Sequence, residues 1–562
     1  MLRALEDEGI ALAFGIPGTH NIELYDALAD SSLVRPVLVT DEQGASFMAD
    51  GAWRASGRMA CVNVVPGAGL THALSGIGEA FLDNVPMLVL GCGIRRDSGR
   101  AYQLHDVDQA AIAGPLVKGT FRPARGADIY ETIRGACRLA RSGAPGPVFV
   151  EIAAELYLTT HEEPQPQPAP PAESAAPDPA LLDRAVELLA KARRPLLYLG
   201  FGAEGAGRDL VALAVRLEAP VATTFQGKGV FPESHPLWLW PGYGDAAPPF
   251  ARRAADGCDA TLAIGCRFGE VATGSYGAPP RGPLVHADID PVVLSRNYPA
   301  EVALACDAAQ LVRALLPRLA QRPRDEGLRQ ALARGRAEVS AEQLEPAERG
   351  VSPGRLLSAL QKRFGPETVF TSDSGNGTFL AVEMLRLDVP RKLLSPVDYS
   401  CMGYAVPAAV GAKLASPGAP VVALAGDGAF LMTGLELLTA AQEGAAVLCC
   451  VLRDRELAQI AQFQATAFSR KVKSQLPDYD LTALCGAVGV ECLRLDGDGD
   501  IEPVLERAAA LLAEGRPVAV DVAIDYSRKT WFTRGVVKTN LLRMPWKDRL
   551  RFVGRALARK LG

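Results

Sequence analysis

Two acidic side chains stand where a divalent cation and a phosphate could be held together. Residues 421–428 read VVALAGDG, an apolar run into a turn whose glycines let a backbone approach phosphate oxygens and whose Asp427 can bind a cation. A second apolar run, 446–452, ends at Arg453-Asp454-Arg455-Glu456, placing Asp454 27 positions after Asp427. Two neighbouring parallel strands would bring both carboxylates to one metal. A third acid, Glu42, follows the apolar run 37–39 and opens a stretch of small residues, GASFMADGA. Such an apolar neighbourhood suits a carboxyl group that takes part in acid–base chemistry.

Each of these acids needs a strand that ends at it. Short β-branched runs alternate with Ala/Leu-rich helical patterns along the chain: 59–65 then 71–82, 195–199 then 209–217, 421–424 then 434–443. Such alternation implies parallel sheets covered on both faces by helices, with ligands beyond the carboxyl ends of the strands. The expected fold is α/β, three doubly wound domains with mainly parallel sheets. The first spans 1–158. A linker at 159–179 (TTHEEPQPQPAPPAESAAPDP) is too proline-rich for a helix or a central strand. The central domain spans 180–321, a charged helical linker 322–350, and the third domain 351–526. The tail, 527–562, carries eleven Lys and Arg against one acid, Asp548. Leu550, Val553, Leu557 and Leu561 fall at helical spacing in it, reading as a docked surface helix or, more sharply, a lid at a substrate entrance.

Composition sets the outer bounds. At 562 residues the chain exceeds one hydrophobic core. With 48% hydrophobic residues, 22% charged residues and a net charge of −5 it is ordinary globular protein, with no reason to expect a nucleic-acid partner. The eleven cysteines form neither a CxxC nor a zinc-spaced cluster, as befits buried thiols in a reducing compartment. No apolar run approaches the ~20 residues of a transmembrane segment, and the reading is a cytoplasmic protein.

The GDG turn with a ligand position at this distance resembles the signature of the thiamine-diphosphate (ThDP) enzyme family. Residues 15–28 (GIPGTHNIELYDAL), 66–86, 144–152 (APGPVFVEI), Gly227-Lys228-Gly229 and 286–290 are similar to the same family, so the likeness covers nearly the whole chain. It implies that Gly426, Asp427, Gly428, Ala429 and the turn Gly375-Asn376 hold the cofactor. Mg²⁺ would be held by Asp427, by the side chain of Asp454, by the backbone oxygen of Glu456 and by the diphosphate. Position 454 is Asp where the family carries Asn, an extra charge to be offset by Arg453 and Arg455 or to tighten the metal. Residues 400–413 (SCMGYAVPAAVGAK) resemble the segment under the thiazolium, with Met402 as the wedge that bends ThDP. Glu42 matches the glutamate that bonds the pyrimidine ring nitrogen, giving the imino tautomer that removes the thiazolium proton. The two halves come from different subunits in this family, which implies a homodimer or a dimer of dimers.

The reaction is read from residues near the reactive carbon. Pyruvate-type decarboxylases place a protonating Glu where this chain has Ile460. Its absence points to ligation of a 2-oxo acid to a second carbonyl, as in acetolactate synthase. Gln459 belongs to the same segment. Phe463 aligns with an acceptor-pocket Trp of that enzyme, and Lys118 (in GPLVKGTF) resembles its entrance lysine. His20 and His105 are candidate catalytic groups. His20 stands near the thiazolium as proton shuttle or structural partner; His105 stands where synthases have Gln and decarboxylases His. His72 reads as a capping or packing residue. Asp454, Gln459-Ile460 and Val107-Asp108-Gln109 equally resemble 2-hydroxyacyl-CoA lyases, leaving synthase and lyase open. Simple decarboxylation and a non-catalytic ThDP-binding protein rank below both. Arg267 and residues 288–290 resemble the region that holds FAD in synthases, without being distinctive for it.

Overall fold

The computed structural model describes residues 1–562 except 163, 166, 168–174 and 562; at 553 and 556–561 only the helical backbone is described. Three six-stranded parallel sheets follow one another along the chain. In the first, the strands lie in the order Arg35–Leu38, Leu12–Gly15, Cys61–Val64, Leu88–Gly93, Val148–Ala153 and Thr120–Phe121. The central sheet runs Val302–Ala305, Leu284–Asp288, Ala260–Ile264, Pro195–Leu199, Val221–Thr223 and Trp238–Pro241. The third runs Leu393–Leu394, Val369–Ser372, Val421–Gly426, Leu448–Arg453, Val518–Ala523 and Glu491–Leu495. The inner strands are apolar and buried on both faces because helices cover both sides, which makes three α/β domains.

Each sheet has a reversal of strand order near its middle, where a crevice opens at the carboxyl ends. Those reversals fall between Leu12–Gly15 and Cys61–Val64, between Pro195–Leu199 and Ala260–Ile264, and between Val369–Ser372 and Val421–Gly426.

The first and third domains share one core. Phe14, Phe47, Met48 and Ala49 pack in the same buried cluster as Ala408, Val410, Phe430 and Cys449. At its centre the helix Glu42–Ser56 crosses the helix Ala405–Ala415. A methyl group on Gly51 would overlap the carbonyl oxygen of Ala408, and one on Gly411 that of Met48. Only glycine permits so close a crossing. The central domain instead closes its own core, from Leu182 to Val339. The residues read as a charged linker contain the helix Glu326–Gln343, whose Leu328, Leu332 and Val339 belong to that core.

A buried polar knot ties the three domains together. Arg54 bonds Asp50 (Nε to Oδ1, 2.6 Å) and Asp83 (2.9 Å), Gln226 of the central domain bonds Asp83 (2.6 Å), and Tyr404 of the third bonds Asp50 (2.5 Å). Burial pushes the Asp50 carboxyl up, and Arg54 opposes that. Replacing Arg54 with Ala leaves two buried acids without their cation, at a cost of about 3–5 kcal/mol. Calorimetric melting of the variant is the check, and an unchanged melting temperature would contradict it.

In the tail, Glu383 accepts hydrogen bonds from the N–H groups of Trp531 (3.1 Å) and Phe532 (2.7 Å), docking the helix Trp531–Arg543. Phe532 stacks on Phe379 and Phe225. The next helix, Trp546–Leu561, packs on the helix Ala458–Phe468, with the Arg555 guanidinium over the Phe468 ring. Of the expected apolar stripe, Leu550 is exposed, and Val553, Leu557 and Leu561 lie outside the described side chains.

Candidate functional site

Three neighbouring strand ends of the third sheet deliver Asp373, Asp427 and Asp454. Asp427 opens the helix Asp427–Thr433 and accepts hydrogen bonds from the N–H groups of Gly428 (2.8 Å) and Arg455 (2.8 Å). Asp454 accepts one from the N–H of Glu456 (3.2 Å). Arg455 adopts a left-handed φ of 60°, folding the 454–456 turn back over Asp427. Burial first, and then the negative charge of Asp427, push the Asp454 carboxyl up to about 7. Burial also raises Asp427, against the pull of the Arg455 and Gly428 N–H groups. A buried and a partly buried carboxylate that repel each other fit a hard divalent cation such as Mg²⁺.

The flanking arginines do not offset Asp454 as expected. Arg453 bonds Asp521 (2.7 Å) and Asp478 (3.2 Å) and lies over Tyr479, and Arg455 pairs with Asp478 (3.1 Å). Their partners lie on later segments of the chain, so a reading confined to 453–455 misses them. The Glu456 side chain is taken up by Lys471 (2.5 Å).

The loop carrying Met402 is held from two sides. Asp373, fully buried, accepts hydrogen bonds from the N–H groups of Gly403, Ala405 and Ser374, each 2.9 Å, and burial pushes its carboxyl up to about 7. Glu79, on the helix Ala68–Leu82, accepts from the N–H of Cys401 (3.1 Å). Met402 then reaches the GDG turn: a methyl group on Gly428 would lie 3.7 Å from its Cε. Gly375, at a φ of 121°, leads into the helix Asn376–Met384, and a methyl group there would lie 3.9 Å from Oε1 of Gln459. Ile460 and Phe463 are 50% and 36% exposed, on the face beside Gln459's turn of helix.

The second group of residues sits at the carboxyl ends of the first sheet. Asp41 caps the helix Glu42–Ser56 by accepting from the N–H of Gln43 (2.8 Å), and Glu42 is buried as its first residue. Glu436 of the third domain accepts hydrogen bonds from the N–H groups of Thr40 (3.2 Å) and Asp41 (3.3 Å), bracing this turn. A methyl group on Gly69 would lie 3.0 Å from Oε1 of Glu42 and 2.9 Å from Val65, so the helix Ala68–Leu82 comes this near only with glycine there. His72, one turn on, puts Nδ1 3.5 Å from Oε2 of Glu42 and 3.3 Å from Oδ2 of Asp41. It neither caps nor packs, contrary to its reading from the sequence.

His20 and His105 face each other, ring centroids 5.6 Å apart. Partial burial, then the His105 charge, hold the His20 imidazole below its ordinary range. His105 has a φ of 66° and lies against Gly67, whose N–H bonds the buried Gln109 (3.1 Å). From the sequence Gln109 stands only in the lyase-like string, and its bond to Gly67, spanning 42 residues, is not legible there. Lys118 is committed elsewhere, its amine donating to the carbonyls of Ser142 (2.5 Å) and Ala144 (2.8 Å). Among the described residues no hydrogen bond or ion pair joins Glu42 to Asp427, Asp454 or Met402.

A separate cavity of about 640 Å³ opens at the reversal point of the central sheet. Gly202, Gly265, Arg267 and Asp288 line it, together with Arg138 of the first domain and Asp398 of the third. Glycine turns at strand ends, with an acid at the next strand, are the usual makings of a nucleotide crevice. Burial pushes Asp288 up to about 6.

Comparison with known proteins agrees with this geometry over most of the chain. Residues 1–112 match the thiamine pyrophosphate enzyme N-terminal TPP binding domain, 182–315 the central domain and 373–522 the C-terminal TPP binding domain. The chain is 30% identical over 549 residues to the "Probable acetolactate synthase large subunit" of Methanocaldococcus jannaschii, covering 93% of this chain and 91% of that one. It is 30% identical over 550 residues to the acetolactate synthase isozyme 3 large subunit of Escherichia coli K12, covering 94% and 95%. It is 36% identical over 451 residues to the "Probable 2-ketoarginine decarboxylase AruI" of Pseudomonas aeruginosa, covering 79% of each. With three domains of the right kinds in the right order, the chain belongs to the thiamine pyrophosphate enzyme family and is a ThDP-dependent enzyme similar to acetolactate synthase large subunits.

Proposed function

We propose that the protein takes a 2-oxo acid as donor and joins its acyl carbon to a second carbonyl, with ThDP and Mg²⁺. The helix Ala458–Phe468 carries this reading: its sequence, AQIAQFQATAF, holds no acid and no histidine, and Ile460 stands where a simple decarboxylase needs a proton donor. ThDP supplies an electron sink beside the carbonyl. The chain supplies the rest. Asp427, Asp454 and the backbone oxygen of Glu456 hold the metal, while Gly375, Asn376 and 426–429 cradle the diphosphate. Met402 would set the bend of the bound cofactor, and Glu42 would exchange a proton with its pyrimidine ring nitrogen. His20 and His105 would act on the reacting carbon from the first domain, and Gln459, Ile460 and Phe463 would border the acceptor. Lys118, which resembles the entrance lysine, donates its amine to two carbonyls.

The family likeness, with Glu42 in the first domain and the metal ligands in the third, supports a homodimer or dimer of dimers in which each site draws on two chains. Leu431, Met432 and Leu435, exposed around the GDG helix, supply an apolar surface for the second copy. The central cavity supports a bound nucleotide such as FAD or the nucleotide end of CoA. All eleven cysteines are unpaired and, among the described residues, no helix is long and apolar enough to cross a membrane, which favours the cytoplasm over an oxidising compartment.

The name of the 36% relative favours a second reading, decarboxylation alone. Product analysis separates the two. The holoenzyme is incubated with pyruvate, then with 2-ketoarginine, then with formyl-CoA plus an aldehyde. A branched 2-hydroxy-3-oxo acid from pyruvate is the expected result. An aldehyde as sole product overturns ligation in favour of decarboxylation, and a hydroxyacyl-CoA overturns it in favour of the lyase.

A further inference from the structure

The Glu42 carboxylate has two distinct sides. Its Oε1 faces Gly69 and the apolar side chains of Val64 and Val65. Its Oε2 faces His72, whose Nδ1 lies 3.5 Å away and equally close, at 3.3 Å, to Oδ2 of Asp41. Among the described residues His72 is the one basic side chain at ion-pair distance from Glu42. It lies between two acids that would otherwise repel each other, and Asp41 is already committed through Oδ1 to the N–H of Gln43. The imidazole is 57% exposed while the Glu42 side chain is 9% exposed, so His72 is where this carboxylate meets solvent.

We infer that His72 is a positioning residue for Glu42, fixing the orientation of its carboxylate and relaying solvent protons to it. This rests on the reading of Glu42 as the group that exchanges a proton with the cofactor. The exchange balances within the pair. When Glu42 gives up its proton, the His72 imidazolium replaces it from Nδ1 and the neutral ring takes another from water. When Glu42 receives a proton, the same transfers run backwards. The forward transfers leave hydroxide in solvent and the reverse transfers consume it, so the pair returns to its starting state over the cycle. Helix geometry explains the placement: His72 is three residues after Gly69, on the same face, so the glycine that lets the helix approach Glu42 also brings the imidazole over it.

The test measures exchange of the thiazolium proton in the intact enzyme with ThDP and Mg²⁺ and no substrate, by acid quench and NMR. In His72→Ala the exchange slows about 10- to 100-fold, the size expected when a reacting group loses its fixed orientation, and added imidazole restores part of it. ThDP affinity, read by tryptophan fluorescence, changes far less. The apoenzyme gives an independent readout. With six histidines in the chain, ring-labelled protein resolves His72, whose resonance shifts in Glu42→Gln. Exchange at the wild-type rate in His72→Ala, a loss that imidazole does not relieve, or an unmoved resonance each overturns the inference. Glu42→Gln separates the two levels. If it also exchanges normally, the reading of Glu42 itself fails; if it is slow while His72→Ala is normal, only the role of His72 falls.

Discussion

Replacing Glu42 with Gln slows thiazolium proton exchange, and turnover with it, by about 10²- to 10⁴-fold, the range in which a positioned general acid–base group acts. The substitution keeps volume and shape, and Glu42 is buried at the start of a helix capped independently by Asp41. The fold and the Glu436 brace on Thr40 and Asp41 therefore survive, and the melting temperature of the apoenzyme stays near that of the wild type. The loss is chemical: an amide can bond a ring nitrogen but cannot pass a proton to it. Stopped-flow quench with NMR detection gives the number. An exchange rate within about threefold of wild type would remove the general acid–base role assigned to Glu42.

The second large effect falls on metal binding by Asp454→Asn, and its sign follows from the crowding of the two acids. In the metal-free fold Asp454 titrates at about 7, above its ordinary value of 3.8, because burial and the Asp427 charge penalise its ionised form. Its contribution to stability is fully present below pH 3.8 and is lost as the pH rises through 7. Above that, the metal-free protein carries a like-charge strain that a cation relieves. Three results are expected. The metal-free variant melts higher than wild type at pH 8. Its Mg²⁺ affinity there is weaker, because an amide replaces a carboxylate. Wild-type affinity drops by up to tenfold per pH unit below the titration point, since a proton must leave before the metal enters, and this slope is shallower in the variant, where only Asp427 remains to titrate. Calorimetric titration of Mg²⁺ at pH 6 and pH 8, with ThDP present, reads all but the first. Equal slopes in the two proteins would show that Asp454 is not a ligand.

The sequence carries the features that are local. Strand, glycine turn and acid are contiguous at 421–428, and helix start, cap and acid are contiguous at 40–43, so the positions of Asp427 and Glu42 at strand ends follow from a few residues each. The alternation of strands and helices, repeated three times, fixes the class of fold for the same reason. The contacts that escape a linear reading depend on how distant elements dock. His72 meets Glu42 only because two helices of the first domain cross at Gly69 and again where Gly76 faces Ser46. Arg453 and Arg455 turn from Asp454 because Asp478 and Asp521 attract them from segments 23 or more residues away in the chain. Lys118 resembles a residue with a free amine, yet the turn at 142–144 captures it. The helix Glu326–Gln343 shows its charges in sequence and hides the three apolar residues that bind it to the central core.

The glycine crossing of Glu42–Ser56 with Ala405–Ala415 bears on how the chain is assembled as it is made. When the first sheet has left the ribosome, the face of its helix that carries Gly44, Met48 and Gly51 still lacks its cover, which lies more than 350 residues downstream. The central domain meets no such delay, since its core is complete by Val339. Synthesis therefore produces a finished middle before a finished beginning. The nascent first domain presents an apolar, small-residue surface throughout that interval, the kind of exposure that recruits chaperones and invites pairing with a neighbouring chain. Burial of that surface waits on the arrival of residues 405–415, so the first domain completes its core only late in synthesis.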